Sequence, residues 1–429
     1  MRNRRVEYCL LCLSIIACIL PGCGEQSIAE EEKNPYVAAV SMETTPVLDY
    51  VVPRLLPNIM VDREGYTVGD EKEAIVKGSV LPEQFVLVDE SDGEIVYQGK
   101  IEQIQYHEEQ GIYSGIVDFS DYDEVGNYYL ECDRIGQSPR FLIQDELYDV
   151  LFRQTYEQIM ESCQKGLLPL QDALILLQAY EWNGSVFPDE NRDEVPDVLQ
   201  ELSQWIIRME GGSQAQSDET VEREQDEVLY AAFLAKFSYL YQTYDYAFAT
   251  DCLKRASTVY GQMNQKISKD ADNFWALTEL YRATGHYTYR QKIAEYDSFF
   301  ENNGSYLEEP EYMYGTMTYL ATRQRVDTKL CEILMGNIME RAEQVSNRYQ
   351  EMIYPMTARN NGTEDLLKRA VEVSCANYVM NNYQYTQIIE DFLHYLMGCN
   401  RDSVNFYHDT EKKTDYILLL SQLAANHRK

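Results

Sequence analysis

The chain has 429 residues, of which 45% are hydrophobic, and its 71 acidic residues outnumber the 37 Lys and Arg to give a net charge of −34. This apolar content is enough to fill folded cores, which excludes a disordered chain, and the length predicts two domains. The negative field repels phosphate backbones, so we expect no nucleic-acid partner.

Residues 1–23 have the layout of an export signal. Arg2, Arg4 and Arg5 precede an apolar run over 9–20, which is too short to span a bilayer as a mature helix. The sequence Pro21-Gly22-Cys23 that follows resembles a lipobox, in which the cysteine sulfur is acylated and becomes the new N-terminus. We therefore predict an exported lipoprotein anchored to the outer face of the bacterial cell membrane. The alternative is an ordinary signal peptide whose cysteine is incidental.

Residues 24–50 show no strong periodicity and include three consecutive glutamates at 30–32. We interpret them as a solvated acidic linker.

A period of two dominates residues 51–144 and predicts about seven short strands. These predicted strands are 58–62, 73–77, 85–88, 94–97, 113–119, 128–131 and 140–143. The Asp92-Gly93 step between two of them predicts a tight hairpin turn, because glycine supplies a positive φ. This pattern is typical of an antiparallel, immunoglobulin-like β-sandwich.

From residue 145 to 429 the period changes to 3.6, which predicts twelve helices. Their later members are predicted over 194–211, 225–243, 245–265, 270–284, 286–300, 308–325, 327–351, 363–382, 386–399 and 413–427. The predicted N-caps are Asp193, Asp245, Asp270, Asp327 and Thr363, and Pro196 and Pro310 fall in first turns. Periodicity alone fits both a barrel of six helical hairpins and a linear helical array.

Several segments, in order, carry a resemblance to a known family. Residues 57–66, 112–122, 126–130 and 138–143 are similar to the immunoglobulin-like domain that precedes many glycoside hydrolases of family 9. Residues 195–201, 274–285 and 394–400 resemble helices of that family's catalytic domain. The resemblance implies an (α/α)6 helical barrel over 145–429, and O-glycosyl hydrolysis of cellulose-like polysaccharides as the ancestral chemistry.

The resemblance also implies two catalytic carboxylates, because family 9 enzymes invert the anomeric centre with an Asp-Ala-Gly-Asp base and a distant Glu acid. The loop for the base should follow Lys165, yet only Gly166 and Leu167 remain, and the nearest acid, Asp172, falls inside the next predicted helix. The family's substrate-gripping segment after Asn400 is also missing. Glu411 aligns with the general acid, although an acidic residue there is also favoured by a helix dipole alone.

Other chemistry finds little support in the sequence. Six cysteines beyond the signal region are scattered, and we expect them to be unpaired: Cys132, Cys163, Cys252, Cys331, Cys375 and Cys399. The five histidines form no i,i+4 pair, so we expect no metal and no cofactor. The acidic loop 189–194 is interpreted as solvated, with calcium binding as the alternative. Tyrosines at 312, 314, 319, 378, 383 and 385 either pack in the core or stack on sugar rings.

Three hypotheses follow. We favour a tethered, catalytically degenerate family 9-like lipoprotein that binds a polysaccharide, an oligosaccharide or an envelope partner, with ligand-binding residues that the sequence leaves unknown. The alternatives are an active hydrolase with a remodelled site, and a structural lipoprotein that docks proteins.

Overall fold

The computed structural model describes residues 57–211, 220–263, 269–302, 309–353, 363–380, 383–409 and 412–427. The predicted signal, Cys23 and the acidic linker lie outside these residues and stay predictions. No helix among the described residues is both long and apolar enough to cross a bilayer.

Nine strands form the first folded region. They are β1 Ile59–Met60, β2 Tyr66–Thr67, β3 Glu73–Gly78, β4 Gln84–Asp89, β5 Ile95–His107, β6 Ile112–Asp118, β7 Gly126–Cys132, β8 Gly136–Gln137 and β9 Phe141–Gln144. The seven predicted strands are all present. The sequence analysis did not identify β2 and β8, each of which has two residues.

The strands form two sheets that share the long strand β5. Its second half pairs with β6, which continues to β3 and β1, while its first half pairs with β4, which continues through β7 and β9 to β2. Apolar side chains from both sheets meet in one core, including Val76 and Val117 from the first and Leu87 and Leu130 from the second. The predicted β-sandwich is therefore confirmed. Gly93 has φ +77° in the β4–β5 turn, as the Asp-Gly step predicted.

Helices make up the rest of the described chain. They are α1 Leu147–Gln164, α2 Leu170–Asn183, α3 Asp197–Gly211, α4 Thr220–Tyr241, α5 Tyr246–Gln262, α6 Ala271–Thr284, α7 Tyr287–Ala294, α8 Asp297–Asn302, α9 Pro310–Ala321, α10 Thr328–Ile353, α11 Thr363–Met380, α12 Tyr383–Leu396, α13 Phe406–Asp409 and α14 Lys413–His427. A 3₁₀ turn at Gly184–Val186 follows α2.

Six of these helices close into an inner ring. α2 packs on α4, α4 on α6, α6 on α9, α9 on α11, α11 on α14, and α14 returns to α2. The outer helices α1, α3, α5, α7, α10 and α12 alternate with them along the chain. The contact between the last and the second helix distinguishes a barrel from a linear array, in which the ends do not meet. The predicted (α/α)6 barrel is thus confirmed.

One predicted helix is two helices in the structure. The pattern over 286–300 predicted a single helix, but α7 ends at Ala294 and α8 starts at Asp297. Tyr296 lies at the break with its side chain turned inward, where its hydroxyl accepts a 2.9 Å hydrogen bond from Asn273 and donates to the Asp270 carbonyl. Satisfying this buried hydroxyl fixes the chain direction there.

Three of the predicted N-caps are confirmed. Asp245 accepts from the backbone N–H of Phe248, Asp270 from that of Asn273, and Asp327 from that of Lys329 at the start of α10. Asp193 is not a cap, because α3 begins at Asp197.

The predictions for the other helix starts have different outcomes. Pro196 precedes α3 instead of lying in its first turn, whereas Pro310 is the first residue of α9 as predicted. Thr363 opens α11, and its side chain lies outside the described residues.

The six cysteines predicted to be unpaired are free thiols. Cys399 was expected on a helix but follows the end of α12, and it packs with Met60, Ile75 and Ile116 of the sandwich.

The sandwich and the barrel share a buried polar contact. His394 Nδ1 of α12 lies 2.7 Å from a carboxylate oxygen of Asp62, in the loop between β1 and β2. The neighbouring backbone is joined as well, since the N–H of Arg63 donates to the Met397 carbonyl at 3.0 Å. Gly398 takes φ +132° beside Arg63, and a Cβ on Gly398 would lie 2.6 Å from the Arg63 Cγ. Only glycine fits this approach without strain.

Burial raises the pKa values of the carboxyl groups at this contact. Desolvation raises the pKa of Asp391 to about 7 and the pKa of Asp62 above its usual range, and His394 lowers both in part. The pKa of His394 is itself raised, because its hydrogen bond and charge interaction with Asp62 outweigh desolvation. Near neutral pH the interface therefore binds more protons than the same groups bind in the unfolded chain.

Candidate functional site

The inner helices all begin at the same end of the barrel, because each outer helix brings the chain back to it. We call this end, formed by the first turns of α2, α4, α6, α9, α11 and α14, the barrel mouth. The described connection from α1 to α2 is 165–169, five residues long, so the short loop expected before Asp172 is present. Glu411, the predicted general acid, lies outside the described residues.

Asp172 lies in the first turn of α2 and is only partly exposed. Its carboxylate accepts a 3.0 Å hydrogen bond from the hydroxyl of Thr414, on the adjacent inner helix α14. Desolvation raises the pKa of Asp172, while the Thr414 hydroxyl and the Lys412 charge lower it in part. The Asp172 carboxylate is therefore tied to a neighbouring inner helix.

A second carboxyl group, Asp415, follows directly on α14. The hydroxyl of Tyr314, from α9, lies 3.5 Å from one of its oxygens. Burial raises the pKa of Asp415 to about 6; Lys412 lowers it and the nearby Asp172 raises it. Asp172 and Asp415 are thus close enough to disfavour ionising together.

The third carboxyl group is Glu311, in the first turn of α9. It accepts a 2.5 Å hydrogen bond from the side-chain amide of Gln171 on α2. In the ring order, three steps in either direction separate α2 from α9, so these two helices face each other across the barrel. Their side chains meet across the mouth. Burial also raises the pKa of Glu311.

These three groups have the residue type that glycoside hydrolysis needs, and burial shifts their pKa values in the same direction. Inversion takes a protonated acid on one side of the sugar and an ionised base on the other. Environments that push two pKa values apart mark such a pair. At the mouth burial is the first cause for each of the three, and it raises every pKa.

Sequence reasoning named Asp172 but missed Glu311 and Asp415. A usable signal was present, because both lie in the first turn of an alternate helix, and alternate helices of a six-hairpin barrel share one mouth. The contact of Gln171 with Glu311 could not be found this way, since 140 residues separate them.

The tyrosines singled out from the sequence divide into two groups. Tyr312, Tyr314 and Tyr319 are buried on α9, and Tyr385 is buried on α12, so core packing explains them. Tyr378 differs, because 39% of it is exposed at the end of α11. The side chain of Tyr383 is outside the described residues.

The acidic loop 189–194 is stabilised by hydrogen bonds from backbone N–H groups to aspartate side chains of the loop. Asp189 accepts from the N–H groups of Asp193 and Glu194, and Asp193 accepts from that of Val195. Across the described part of the chain, no group of three His, Cys, Asp or Glu side chains is arranged to hold a metal ion.

Two models of known protein families match the chain. Residues 56–137 match the model of the cellulase N-terminal ig-like domain, and residues 176–415 match that of glycosyl hydrolase family 9. No curated protein sequence matches the chain.

Solved structures share the fold at low identity. A metagenome-derived glycoside hydrolase family 9 endoglucanase is 16% identical, with a TM-score of 0.68 over 86% of this chain and 98% of its own. A Bacteroides ovatus GH9 structure is 17% identical, with a TM-score of 0.63 over 86% and 99%. A thermostable endoglucanase from Alicyclobacillus acidocaldarius is 14% identical, with a TM-score of 0.62 over 81% and 83%. The family match covers more than half of the chain, and this protein belongs to glycosyl hydrolase family 9.

Proposed function

We propose that this protein is a membrane-tethered member of family 9 that binds a glycan at the barrel mouth without hydrolysing it by the inverting route. The observation that carries the proposal is the 2.5 Å hydrogen bond between Gln171 and Glu311. Side chains from facing helices touch across the mouth, whereas an inverting enzyme keeps its two carboxyl groups about 6.5–9.5 Å apart with a sugar and a water between them.

The short connection before α2 also supports a lack of catalysis. General acid–base catalysis contributes about 10²–10⁴-fold, and positioning of the reactants contributes further. An acid at Glu411 would supply only part of this rate gain, and it would need a base facing it. The glycan itself is inferred from the family, whose solved members include a structure of AaCel9A in complex with cellobiose-like isofagomine.

The test combines turnover and binding on the purified mature protein. We expect no reducing-sugar release from carboxymethyl-cellulose, xylan or mannan, together with measurable heat on titration with cello-oligosaccharides. Gln171→Ala should change the affinity. Turnover by the unaltered protein would refute the loss of catalysis, and an absence of heat with every glycan would refute glycan binding and leave a protein partner.

A rebuilt hydrolase is the second candidate, and one observation favours it. Asp172 and Asp415 lie on adjacent inner helices, and the pKa of Asp415 is near 6, in the range of a glycosidase acid. This candidate requires turnover that Asp172→Asn or Asp415→Asn abolishes. Glu411→Gln should be compared in parallel, since activity lost only in that variant would assign the acid to the family position.

The tether at Cys23 is proposed from the lipobox alone. Cells expressing the full chain should incorporate a fatty-acid analogue into the protein and retain it in the membrane fraction. Cys23→Ala should abolish both. A wild-type protein recovered unlabelled from the culture medium would contradict the tether.

A further inference from the structure

The opposite end of the barrel, where the inner helices finish, holds a cluster of charged side chains. We call this end the barrel base. Lys236 Nζ of α4 lies 2.7 Å from Glu181 of α2 and 3.1 Å from Glu279 of α6. Arg282 of α6 pairs with both glutamates, at 2.6 Å from Glu279. Two cations and two carboxylates balance, so the cluster itself is neutral.

Aromatic rings lie over this cluster. Trp182 of α2 and Tyr378 of α11 are stacked, with ring centroids 4.7 Å apart and planes 16° apart. The guanidinium of Arg282 lies 4.3 Å from the ring centroid of Tyr239. Trp182 covers one face of Tyr378, and 39% of that tyrosine stays exposed. Tyr378 therefore keeps an exposed surface next to the Trp182 ring.

The polar groups beside these rings still have hydrogen-bonding capacity. The side chain of Glu181 is 15% exposed, unlike those of Lys236 and Glu279, which are fully buried. Burial raises the pKa of Glu181, but Lys236 and Arg282 outweigh it and lower the value to about 2. The carboxylate is thus ionised at any working pH. The Nε of Arg282, which is 1% exposed, is a buried donor with no hydrogen-bond partner among the described residues.

We propose that the barrel base is a second glycan-binding site, where a pyranose ring stacks on Tyr378 beside Trp182 and a sugar hydroxyl donates to Glu181. Flat aromatic faces and a fixed acceptor are the two elements that orient a sugar. A neutral ligand fits the balanced charges, and the net charge of −34 opposes an anionic one. The site is separate from the mouth and does not depend on it.

The tryptophans make the proposal directly testable. The sequence contains three, and Trp205 and Trp275 are 3% and 0% exposed, so the partly exposed Trp182 dominates quenching by acrylamide. We expect cellohexaose or mannohexaose to protect the fluorescence of the mature protein from acrylamide. No protection at millimolar concentrations of either hexaose would overturn the proposal.

Variants then assign the signal. Tyr378→Ala should weaken hexaose binding about tenfold, whereas Tyr378→Phe, which keeps the ring, should leave it within about twofold. Tyr106→Ala is the matched control, because Tyr106 is 53% exposed on β5 of the sandwich. Equal loss in the Tyr106 and Tyr378 variants would refute the site.

Gln171→Ala separates this site from the mouth, because Gln171 contacts Glu311 there. Hexaose protection of Trp182 that persists in Gln171→Ala and is lost in Tyr378→Ala supports binding at the base. Protection that is lost in Gln171→Ala and persists in Tyr378→Ala would place the sugar at the mouth and refute the base site without refuting the proposed function.

Discussion

The buried charges at the barrel base predict a large and specific effect on stability. Lys236 is fully buried, and its ammonium contacts Gln178, Glu181 and Glu279. Lys236→Met removes the cation and leaves two carboxylates sharing Arg282 alone. Breaking a buried pair on one side costs about 3–5 kcal/mol, because the remaining charge is desolvated and uncompensated. We therefore expect the free energy of unfolding to fall by about that amount.

The double variant tests the reasoning. Lys236→Met combined with Glu279→Gln restores neutrality, so it should be more stable than the sum of the two single losses predicts, by about 1–3 kcal/mol. Lys165→Ala is the surface control, since the Lys165 side chain is 58% exposed and its pair with Glu161 is worth less than about 1 kcal/mol. Urea denaturation followed by far-ultraviolet circular dichroism measures the wild-type protein and all four variants. A loss in Lys236→Met as small as in the control would refute the reasoning.

Three further predictions concern other parts of the molecule. The pKa values of Asp391 and His394 are both raised in the folded state, which therefore binds more protons than the unfolded chain. The melting temperature should fall as the pH rises from about 4 through 7. Asp391→Asn should flatten this dependence of the melting temperature on pH. Gly398→Ala should lower the free energy of unfolding, measured by urea denaturation, by about 1–3 kcal/mol, because φ is +132° and the new Cβ would contact Arg63. An unchanged free energy of unfolding would mean that this backbone relaxes without strain. Among the six described thiols, Cys331 alone is partly exposed, so it should react first with a thiol reagent whose sites are mapped by mass spectrometry. Earlier labelling of any of the other five would contradict the packing.

Most of the architecture followed from the sequence because it depends on local periodicity. The change from period two to period 3.6 near residue 145 separates strands from helices without tertiary information. Asp245, Asp270 and Asp327 marked helix starts for the same reason, since a cap satisfies backbone groups within three residues. The family resemblance added the ring closure, which periodicity left open between a barrel and an array.

Only the tertiary structure decided which side chains meet. The contact between Gln171 and Glu311 joins residues 140 apart, and the contact between Asp62 and His394 joins residues 332 apart. Amphipathic patterns mark a buried face but do not give the rotation of one helix against another. For that reason the sequence does not distinguish Tyr314 from Tyr378, although Tyr314 is buried in the core and Tyr378 is partly exposed beside Trp182. Burial also decided the acid–base character of Asp415, since desolvation is a property of the assembled barrel.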